Sequence, residues 1–208
     1  MRGKQPDRRL CFYDLLDALR QPGCPLCHLA AEASERWLRS LFHEQVTDAE
    51  TRLLLRRQGA FCARHTEQAL RTGDPLGSSI IYGDLARCAL DAFPAKWNPK
   101  CPLCEQEEQV LGAMRNTLLD HIEEEDVRVD YEASDGLCLP HLYGTVGRGR
   151  DPRADVLLAI ERGKIDALSR ECAGFVAKSH YDHPGELTRG EATAWRRAAR
   201  KLGGGHGN

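Results

Sequence analysis

Cysteine and histidine side chains occur in four short motifs whose spacing suits metal binding. Two are identical CPLC tetrapeptides at residues 24–27 and 101–104, and two are C-x-x-H motifs at residues 62–65 and 138–141. Thiolates and imidazoles are preferred ligands of zinc, which structural sites hold with four such groups in a tetrahedron. The chain therefore offers enough ligands for two Cys3His sites. The eight candidate ligands are Cys24, Cys27, Cys62, His65, Cys101, Cys104, Cys138 and His141.

Each motif is predicted to hold its two ligands side by side. In CPLC the two intervening residues turn the chain, and Pro25 and Pro102 suit the first turn of a following helix. In C-x-x-H the ligands are three residues apart, which puts them on one face of a helix. The positive end of that helix also favours the thiolate of Cys62 or Cys138. Two zinc ions per chain are the expected cofactors.

The motifs recur in the same order, which indicates internal duplication of one helical unit. The second CPLC follows the first by 77 residues, and the second C-x-x-H follows the first by 76. The spacers between the motifs are 34 and 33 residues long. These matching spacers favour one site within each copy, and they predict two equivalent, closed sites. Pairing of the CPLC of one copy with the C-x-x-H of the other is the alternative.

Two other kinds of chemistry compete with structural zinc. C-P-x-C is also a thiol–disulfide motif, in which a helix N-terminus lowers the pKa of one thiol. A redox pair needs no third cysteine and histidine at a fixed distance, so the paired C-x-x-H motifs favour a metal. Iron–sulfur clusters also bind thiolates, but they more often take four cysteines, and we therefore favour zinc over an iron–sulfur cluster.

Apolar residues at helical spacing predict an all-α fold, and no stretch alternates as a strand would. Residues 11–20, for example, place Phe12, Leu15 and Leu19 on one stripe. The predicted organisation is two tandem helical repeats, each organised around a Cys3His metal site, followed by an amphipathic C-terminal helix. The segments are a first repeat with its leading helix at 11–97, a second repeat at 98–178, and a C-terminal extension and tail at 179–208, with the repeats packed as one globular unit.

Composition and charge argue against several classes of protein. The formal net charge of −2 and a sequence pI of about 6.4 do not suit a chain held to nucleic acid by its global charge. No run approaches the roughly 20 apolar residues of a membrane span, and the first ten residues are not followed by a signal-type apolar stretch. We expect a cytoplasmic protein without membrane contact. In a reducing compartment, nine cysteines favour metal binding over a disulfide framework.

Cysteine and histidine residues outside the motifs are predicted to be structural. Cys11, Cys88 and Cys172 lie on apolar helical faces and are expected in the core. His28 adjoins Cys27, but Glu105 takes its place in the second copy, so His28 is expected at the surface.

The C-terminal extension concentrates polar and aromatic residues, including Tyr181, Asp182, His183 and Trp195. The expected arrangement is a docked helix over 187–202 with Trp195 in a groove, and the alternative is a surface for a ligand or partner. The final GGGHGN is expected to fray.

With these motifs in place, the chain resembles a family of uncharacterised bacterial proteins that share a duplicated CPxC…CxxH arrangement and a C-terminal His-Asp-Tyr/Trp-Arg-Arg region. The resemblance spans about residues 11 to 203, and all eight ligand positions are present. The C-terminal element departs from the pattern, because it reads His180-Tyr181-Asp182 here. The resemblance implies the architecture and no particular activity.

Three functions fit these features. The favoured one is a non-enzymatic, zinc-stabilised helical module that binds another macromolecule, expected to be a protein, because a fully ligated Cys3His site leaves no open position for a substrate water. The second is a thiol-based redox sensor or oxidoreductase that uses the CPLC pairs. The third is nucleic-acid binding through the basic segments 147–153 and 196–201. Aromatic residues make up only 6% of the chain and offer few stacking platforms, so nucleic acid is not the favoured partner.

Overall fold

The computed structural model describes residues 8–94, 100–147, 151–179 and 185–205. Within these ranges the chain forms ten α-helices and one short π-helical segment, Leu41–Gln45, and no strand. The all-α class predicted from the sequence is confirmed. The helices are α1 (Arg8–Leu19), α2 (Pro25–Ser40), α3 (Ala49–Gln58), α4 (Ala63–Thr72), α5 (Pro75–Ala92), α6 (Pro102–His121), α7 (Glu125–Ala133), α8 (Leu139–Val146), α9 (Pro152–Lys178) and α10 (Arg189–Gly203).

Polar side chains fix where several helices begin. The Asp48 carboxylate accepts a hydrogen bond from the backbone N–H of Thr51 at the start of α3, and Asp74 accepts one from Gly77 at the start of α5. Asp151 has the same role at α9. At α10, Thr188 and Glu191 form a reciprocal capping box. Each cap satisfies backbone N–H groups that the first helical turn leaves free, and so sets the helix register.

Contacts divide the chain into two compact units. Unit 1 comprises Met1–Leu29 and Leu111–Asn208, and unit 2 comprises Ala30–Val110. The boundaries fall inside α2 and α6, so these units do not coincide with the predicted segments 11–97 and 98–178. Each CPLC motif therefore lies in one unit, and the C-x-x-H motif of the same copy lies in the other.

Unit 2 has a buried apolar core that leads directly to a ligand-bearing helix. Phe61, which precedes Cys62, is 6% exposed, and its ring meets the edges of Trp37 and Tyr82 at centroid distances of 6.0 and 6.3 Å. The other fully buried members come from α2, the π-helical segment, α3, α4, α5 and α6. They are Leu38, Leu41, Phe42, Leu55, Ala69, Ile81, Leu85 and Leu103.

In unit 1, α10 packs along α9 and also contacts α8. The predicted C-terminal helix is present, but Trp195 does not fill a groove, because 55% of its surface is exposed. The neighbouring Ala194 is the fully buried residue, and the guanidinium of Arg196 lies 4.8 Å from the Trp195 ring centroid. A small side chain at the buried position lets the two helices approach closely, which turns the indole outward.

The three cysteines outside the motifs differ in burial. Cys11 is in the core as predicted, whereas Cys88 and Cys172 are only half-buried, contrary to prediction. None of the helices in the described ranges has an apolar stretch long enough to cross a bilayer.

Candidate metal centres

The structure gathers the eight predicted ligands into two groups of four. Site A consists of Cys24, Cys27, Cys138 and His141, and site B consists of Cys62, His65, Cys101 and Cys104. In each group the candidate ligand atoms all lie within 4.8 Å of one another. Each site offers three thiols and one imidazole, and each could hold a metal ion.

The ligand pairs join across the two copies, so the favoured pairing within each copy is wrong. The first CPLC motif belongs to unit 1 together with the second C-x-x-H motif, and the first C-x-x-H motif belongs to unit 2 together with the second CPLC motif. The first C-x-x-H motif therefore meets the second CPLC motif, and the first CPLC motif meets the second C-x-x-H motif. The matching spacers are equally compatible with both pairings and could not distinguish them.

The same cross-connection precedes the ligands in both sites. Before site B, the backbone N–H of Lys100 donates to the carbonyl oxygen of Gln58 over 2.7 Å. Before site A, the backbone N–H of Gly23 donates to Asp135 Oδ2 over 2.7 Å. Lys100 follows Gly23 by 77 residues, and Asp135 follows Gln58 by 77. Equivalent positions thus bring each CPLC motif beside the C-x-x-H motif of the other copy.

The ligand separations in site A fit one tetrahedral ion. The Sγ atoms of Cys27 and Cys138 are 3.8 Å apart. His141 Nδ1 lies 3.4 Å from the Sγ atoms of Cys24 and Cys27 and 3.3 Å from that of Cys138. Metal bonds of about 2.3 Å to sulfur and 2.0–2.1 Å to nitrogen place tetrahedral ligands about 3.8 Å apart for two sulfurs and about 3.5 Å apart for sulfur and nitrogen.

Site B has the same geometry. The Sγ atoms of Cys62 and Cys104 are 3.7 Å apart, and His65 Nδ1 lies 3.4, 3.2 and 3.5 Å from the Sγ atoms of Cys62, Cys101 and Cys104. In an iron–sulfur cluster the thiolates bind different irons. Four ligand atoms this close together therefore suit a single ion rather than a cluster.

The first turns of α4 and α8 present one cysteine and one histidine each, as predicted. Cys62 and Cys138 occupy the N-cap positions of these helices, and the histidines follow in the first turn. Burial opposes the Cys62 thiolate, but the backbone N–H of His65 and the neighbouring thiol of Cys104 lower the pKa of Cys62 to about 7. Contacts with the thiols of Cys24 and Cys27 lower the pKa of Cys138 to about 3. These cysteines readily supply the thiolates that a metal binds.

A buried carboxylate orients the histidine of site B. His65 Nε2 lies 2.9 Å from Glu107 Oε1, and both side chains are almost fully buried. Because Nδ1 faces the thiols, Nε2 carries the hydrogen and donates it to Glu107. Burial opposes ionisation of Glu107, but hydrogen bonds from His65, Arg64 and Ser34 lower its pKa to about 2. The result is a fixed imidazole orientation.

In site A, a tight loop at Gly136 and Leu137 positions Cys138. Gly136 has a φ of +70°, a left-handed conformation that favours glycine, and a Cβ there would lie 2.2 Å from Glu161 Oε1. Glu161 Oε1 accepts hydrogen bonds from the backbone N–H of Leu137, over 2.7 Å, and from the Tyr131 hydroxyl. The buried Glu161 carboxylate thus holds the residues just before the ligand.

Two lysines extend this support. Lys201 Nζ, from α10, lies 2.5 Å from Glu161 Oε2 and 3.0 Å from the carbonyl oxygen of Asp135. Lys164 Nζ, from α9, donates to the carbonyl oxygens of Glu132 and Ser134 over 2.7 and 2.6 Å. The C-terminal helix is therefore tied to the loop that carries a site A ligand.

The end of α10 also lies at site A. Gly204 has a φ of +72°, and a Cβ there would be 3.4 Å from Cys138 Sγ. The expectation of a frayed tail is therefore wrong for Gly203, which is the last residue of α10, and for Gly204, which lies beside the site, while residues 206–208 lie outside the described residues.

The two sites are not equivalent, contrary to expectation. All three cysteines of site A are buried, whereas Cys62 and Cys101 of site B are half-buried and Cys104 is exposed. The carboxylate that supports His65 also has no counterpart in the repeat, because Ala30 stands at the position matching Glu107.

Three residues that support the sites were not predicted from the sequence: Glu107, Glu161 and Lys201. Glu107 follows the ligand Cys104 by three residues on α6, a helical spacing that could have identified it. Glu161 and Lys201 are 40 residues apart, and no local pattern connects them.

Other candidate residues lie outside the two groups. His28 Nε2 lies 2.5 Å from the carbonyl oxygen of Pro22, and the half-buried ring is not part of either site. The sequence also offered a C-terminal surface for a ligand or partner. Three of its residues, Tyr181, Asp182 and His183, lie outside the described residues.

Fold and sites together define an all-α protein with two Cys3His groups that could each hold a metal ion. Residues 8–89 match a family described as "Family of unknown function (DUF6062)". This segment is less than half of the chain and contains two ligands of each site. The predicted resemblance to an uncharacterised family is confirmed.

The chain is also similar to an "Uncharacterized 23.9 kDa protein in xynA 3'region" from Caldicellulosiruptor sp. (strain Rt8B.4). The two are 27% identical over 103 residues, which is 45% of this chain and 50% of that protein. The chain therefore spans about half the length of this relative. No solved structure matches the chain.

Proposed function

We propose that the protein is a zinc-binding helical module that acts by binding another protein. The observation that carries this proposal is the pair of four-ligand groups. In both, sulfur–sulfur separations of 3.7–3.8 Å and sulfur–nitrogen separations of 3.2–3.5 Å fit a single tetrahedral ion.

Zinc is the ion that this ligand set favours. Thiolates are soft ligands and imidazole is intermediate, and a tetrahedral arrangement of such groups is typical of zinc. The Glu107 carboxylate accepts a hydrogen bond from His65, and zinc-bound histidines commonly donate such a bond to a carboxylate. The matched order of ligands also supports the inference that the chain arose by duplication of one helical unit.

Both sites supply all four ligands from the protein, which supports a structural role. No coordination position is then left for a substrate or a reactive water. In zinc-finger peptides such sites bind zinc with apparent free energies of about 10–16 kcal/mol, and this energy stabilises the fold. Recognition of a partner is therefore the better-supported role, and catalysis at the metal is not.

Unit 2 offers apolar surface for a protein partner. Leu76, Leu90 and Phe93, on α5 and at its end, are 73, 69 and 78% exposed. Leu90 and Phe93 are three residues apart at the same end of α5, and exposed apolar side chains that lie close together often mark a protein contact. The basic segment 196–201 is less available to nucleic acid, because Arg197 pairs with Glu171 and Lys201 pairs with Glu161.

Metal analysis of full-length protein purified without added metal tests the proposal. We expect two zinc ions per chain and no visible absorption. Metal-free protein with CPLC disulfides would contradict it, and a brown protein with visible charge-transfer bands would replace zinc with iron.

A second candidate function rests on Cys104. This thiol is exposed at site B, whereas the thiols of site A are buried. Hydrogen peroxide that accepts two electrons from two site B thiolates and two protons from solvent would form one disulfide and two water molecules, and would release the ion. A peroxide-dependent role predicts that one ion per chain is released first and that the new disulfide contains Cys104. Simultaneous slow loss of both ions would contradict it.

A further inference from the structure

Unit 1 contains a cavity of about 400 Å³ beside site A. Its walls come from α9, α10, the loop before Cys138 and the turn before Cys24. Its volume falls within the range of about 300–1,000 Å³ that small-molecule sites occupy. The cavity is therefore large enough for a small ligand, and it borders two of the site A cysteines.

Positive charge dominates the lining. Two carboxylates, Asp135 and Glu171, contribute negative charge. A divalent ion with three thiolates would contribute a further net charge of −1 from site A, and Glu161, the partner of Lys201, contributes another. Five positive charges then face four negative ones. The five cationic side chains of the lining are Lys164, Arg189, Arg197, Arg200 and Lys201.

These cations differ in their position and in the contacts that they make. Arg197 contacts Glu171, and Lys201 contacts Glu161. Lys164 instead donates to two neutral backbone carbonyls, and burial lowers the pKa of its ammonium group, so a nearby anion would favour its charged form. Arg189 and Arg200 are exposed and lie eleven residues, or about three helical turns, apart on the same face of α10.

We propose that this cavity binds a small oxyanion with at least two negative charges, of the phosphate or polycarboxylate kind. Arginine guanidinium groups match the planar oxygen pairs of such anions. Leu168 offers an apolar contact for the body of the ligand.

A bound anion would contact α9, α10 and the loop that carries Cys138 at the same time. Binding is therefore expected to stabilise site A, because a ligand that binds only the folded state adds its binding free energy to that state. This inference concerns a ligand separate from the metal and the protein partner, and it goes beyond the proposed function.

Calorimetric titration of the metal-loaded full chain tests the inference, with pyrophosphate and citrate as probes at constant ionic strength. We expect saturable binding of one anion per chain. Loss of two charged hydrogen-bond donors in Arg189→Gln/Arg200→Gln should weaken it by about tenfold or more. Arg162→Gln is the matched control, because Arg162 is an exposed arginine of α9 outside the cavity lining, and it should bind as the unaltered protein does.

The two probes separate the sources of the oxyanion. Stronger binding of pyrophosphate supports a phosphorylated ligand, and stronger binding of citrate supports a polycarboxylate. The inference is overturned if neither probe binds saturably at millimolar concentration, or if the double variant binds as tightly as Arg162→Gln. Metal content is measured on the same samples, so a failure of anion binding is distinguishable from a failure of the two-metal proposal.

Discussion

His65 donates a hydrogen bond from Nε2 to Glu107 Oε1 over 2.9 Å, while Nδ1 of the same ring lies 3.2 Å from Cys101 Sγ. The ring thus bridges the thiol group of site B and a buried carboxylate. Ser34 holds that carboxylate from another side through a 2.6 Å hydrogen bond. Because these contacts restrain both the tautomer and the ring plane, site B is organised before an ion enters it.

Replacement of Glu107 by glutamine should weaken this organisation selectively. Glutamine keeps the shape but loses the charge that supports His65 and pairs with Arg64. We expect Glu107→Gln to bind one of its two ions about 10–100-fold more weakly. Competition with a chromophoric chelator measures this effect as two separate release steps.

The neighbouring exposed Glu108 provides the control for this experiment. Glu108→Gln should release both ions as the unaltered protein does. Identical release curves for Glu107→Gln and Glu108→Gln would show that the carboxylate does not support the site.

A methyl group at Gly136 should destabilise unit 1. The residue has a φ of +70°, and the added Cβ would collide with Glu161 Oε1 at 2.2 Å. We expect Gly136→Ala to lower the free energy of unfolding by at least about 2 kcal/mol, measured by urea denaturation of the metal-loaded protein.

Gly163, on α9, is the matched position, because a Cβ there meets nothing within 4 Å. Gly163→Ala should raise the stability by up to about 1 kcal/mol, since alanine favours helix over glycine. If both variants are at least as stable as the unaltered protein, the described loop conformation is wrong.

Lys201 and Glu161 form a buried ion pair, with side chains 7 and 1% exposed. Lys201→Met leaves the Glu161 charge without its partner, and we expect a loss of about 3–5 kcal/mol in the free energy of unfolding. Adding Glu161→Gln should recover much of this loss, because the second change removes the stranded charge. A cost below about 1 kcal/mol for Lys201→Met would contradict a buried pair.

The sequence identifies local features of this fold well. Helix ends are marked by residues such as Asp48 and Gly59, whose conformational and hydrogen-bonding preferences act within a few positions. The same is true of the ligands: CPLC and C-x-x-H each place two donors together by local geometry alone. All eight residues are consequently gathered into the two Cys3His groups.

Contacts between residues far apart in the chain could not be predicted from the sequence. The Sγ atom of Cys24 lies 3.4 Å from His141 Nδ1 although 117 positions separate them, and nothing in the motif spacing favours this partner over His65. The buried pair of Glu161 and Lys201 likewise depends on how α9 and α10 pack. Ala194 is buried and Trp195 is exposed because of the way α10 packs along α9. The hydrophobic pattern of the sequence does not predict which of the two residues is buried.

Two four-residue variants test the crossed pairing most directly. The first replaces all site A ligands (Cys24→Ser, Cys27→Ser, Cys138→Ser and His141→Ala), and the second replaces both motifs of the first copy (Cys24→Ser, Cys27→Ser, Cys62→Ser and His65→Ala). The measurement is the number of tightly bound metal ions per full-length chain.

Crossed pairing leaves site B complete in the first variant and leaves only two ligands in each site of the second. We therefore predict that the first variant retains one tightly bound ion and the second retains none. The reverse result, with no ion in the first variant and one in the second, would contradict the crossed sites.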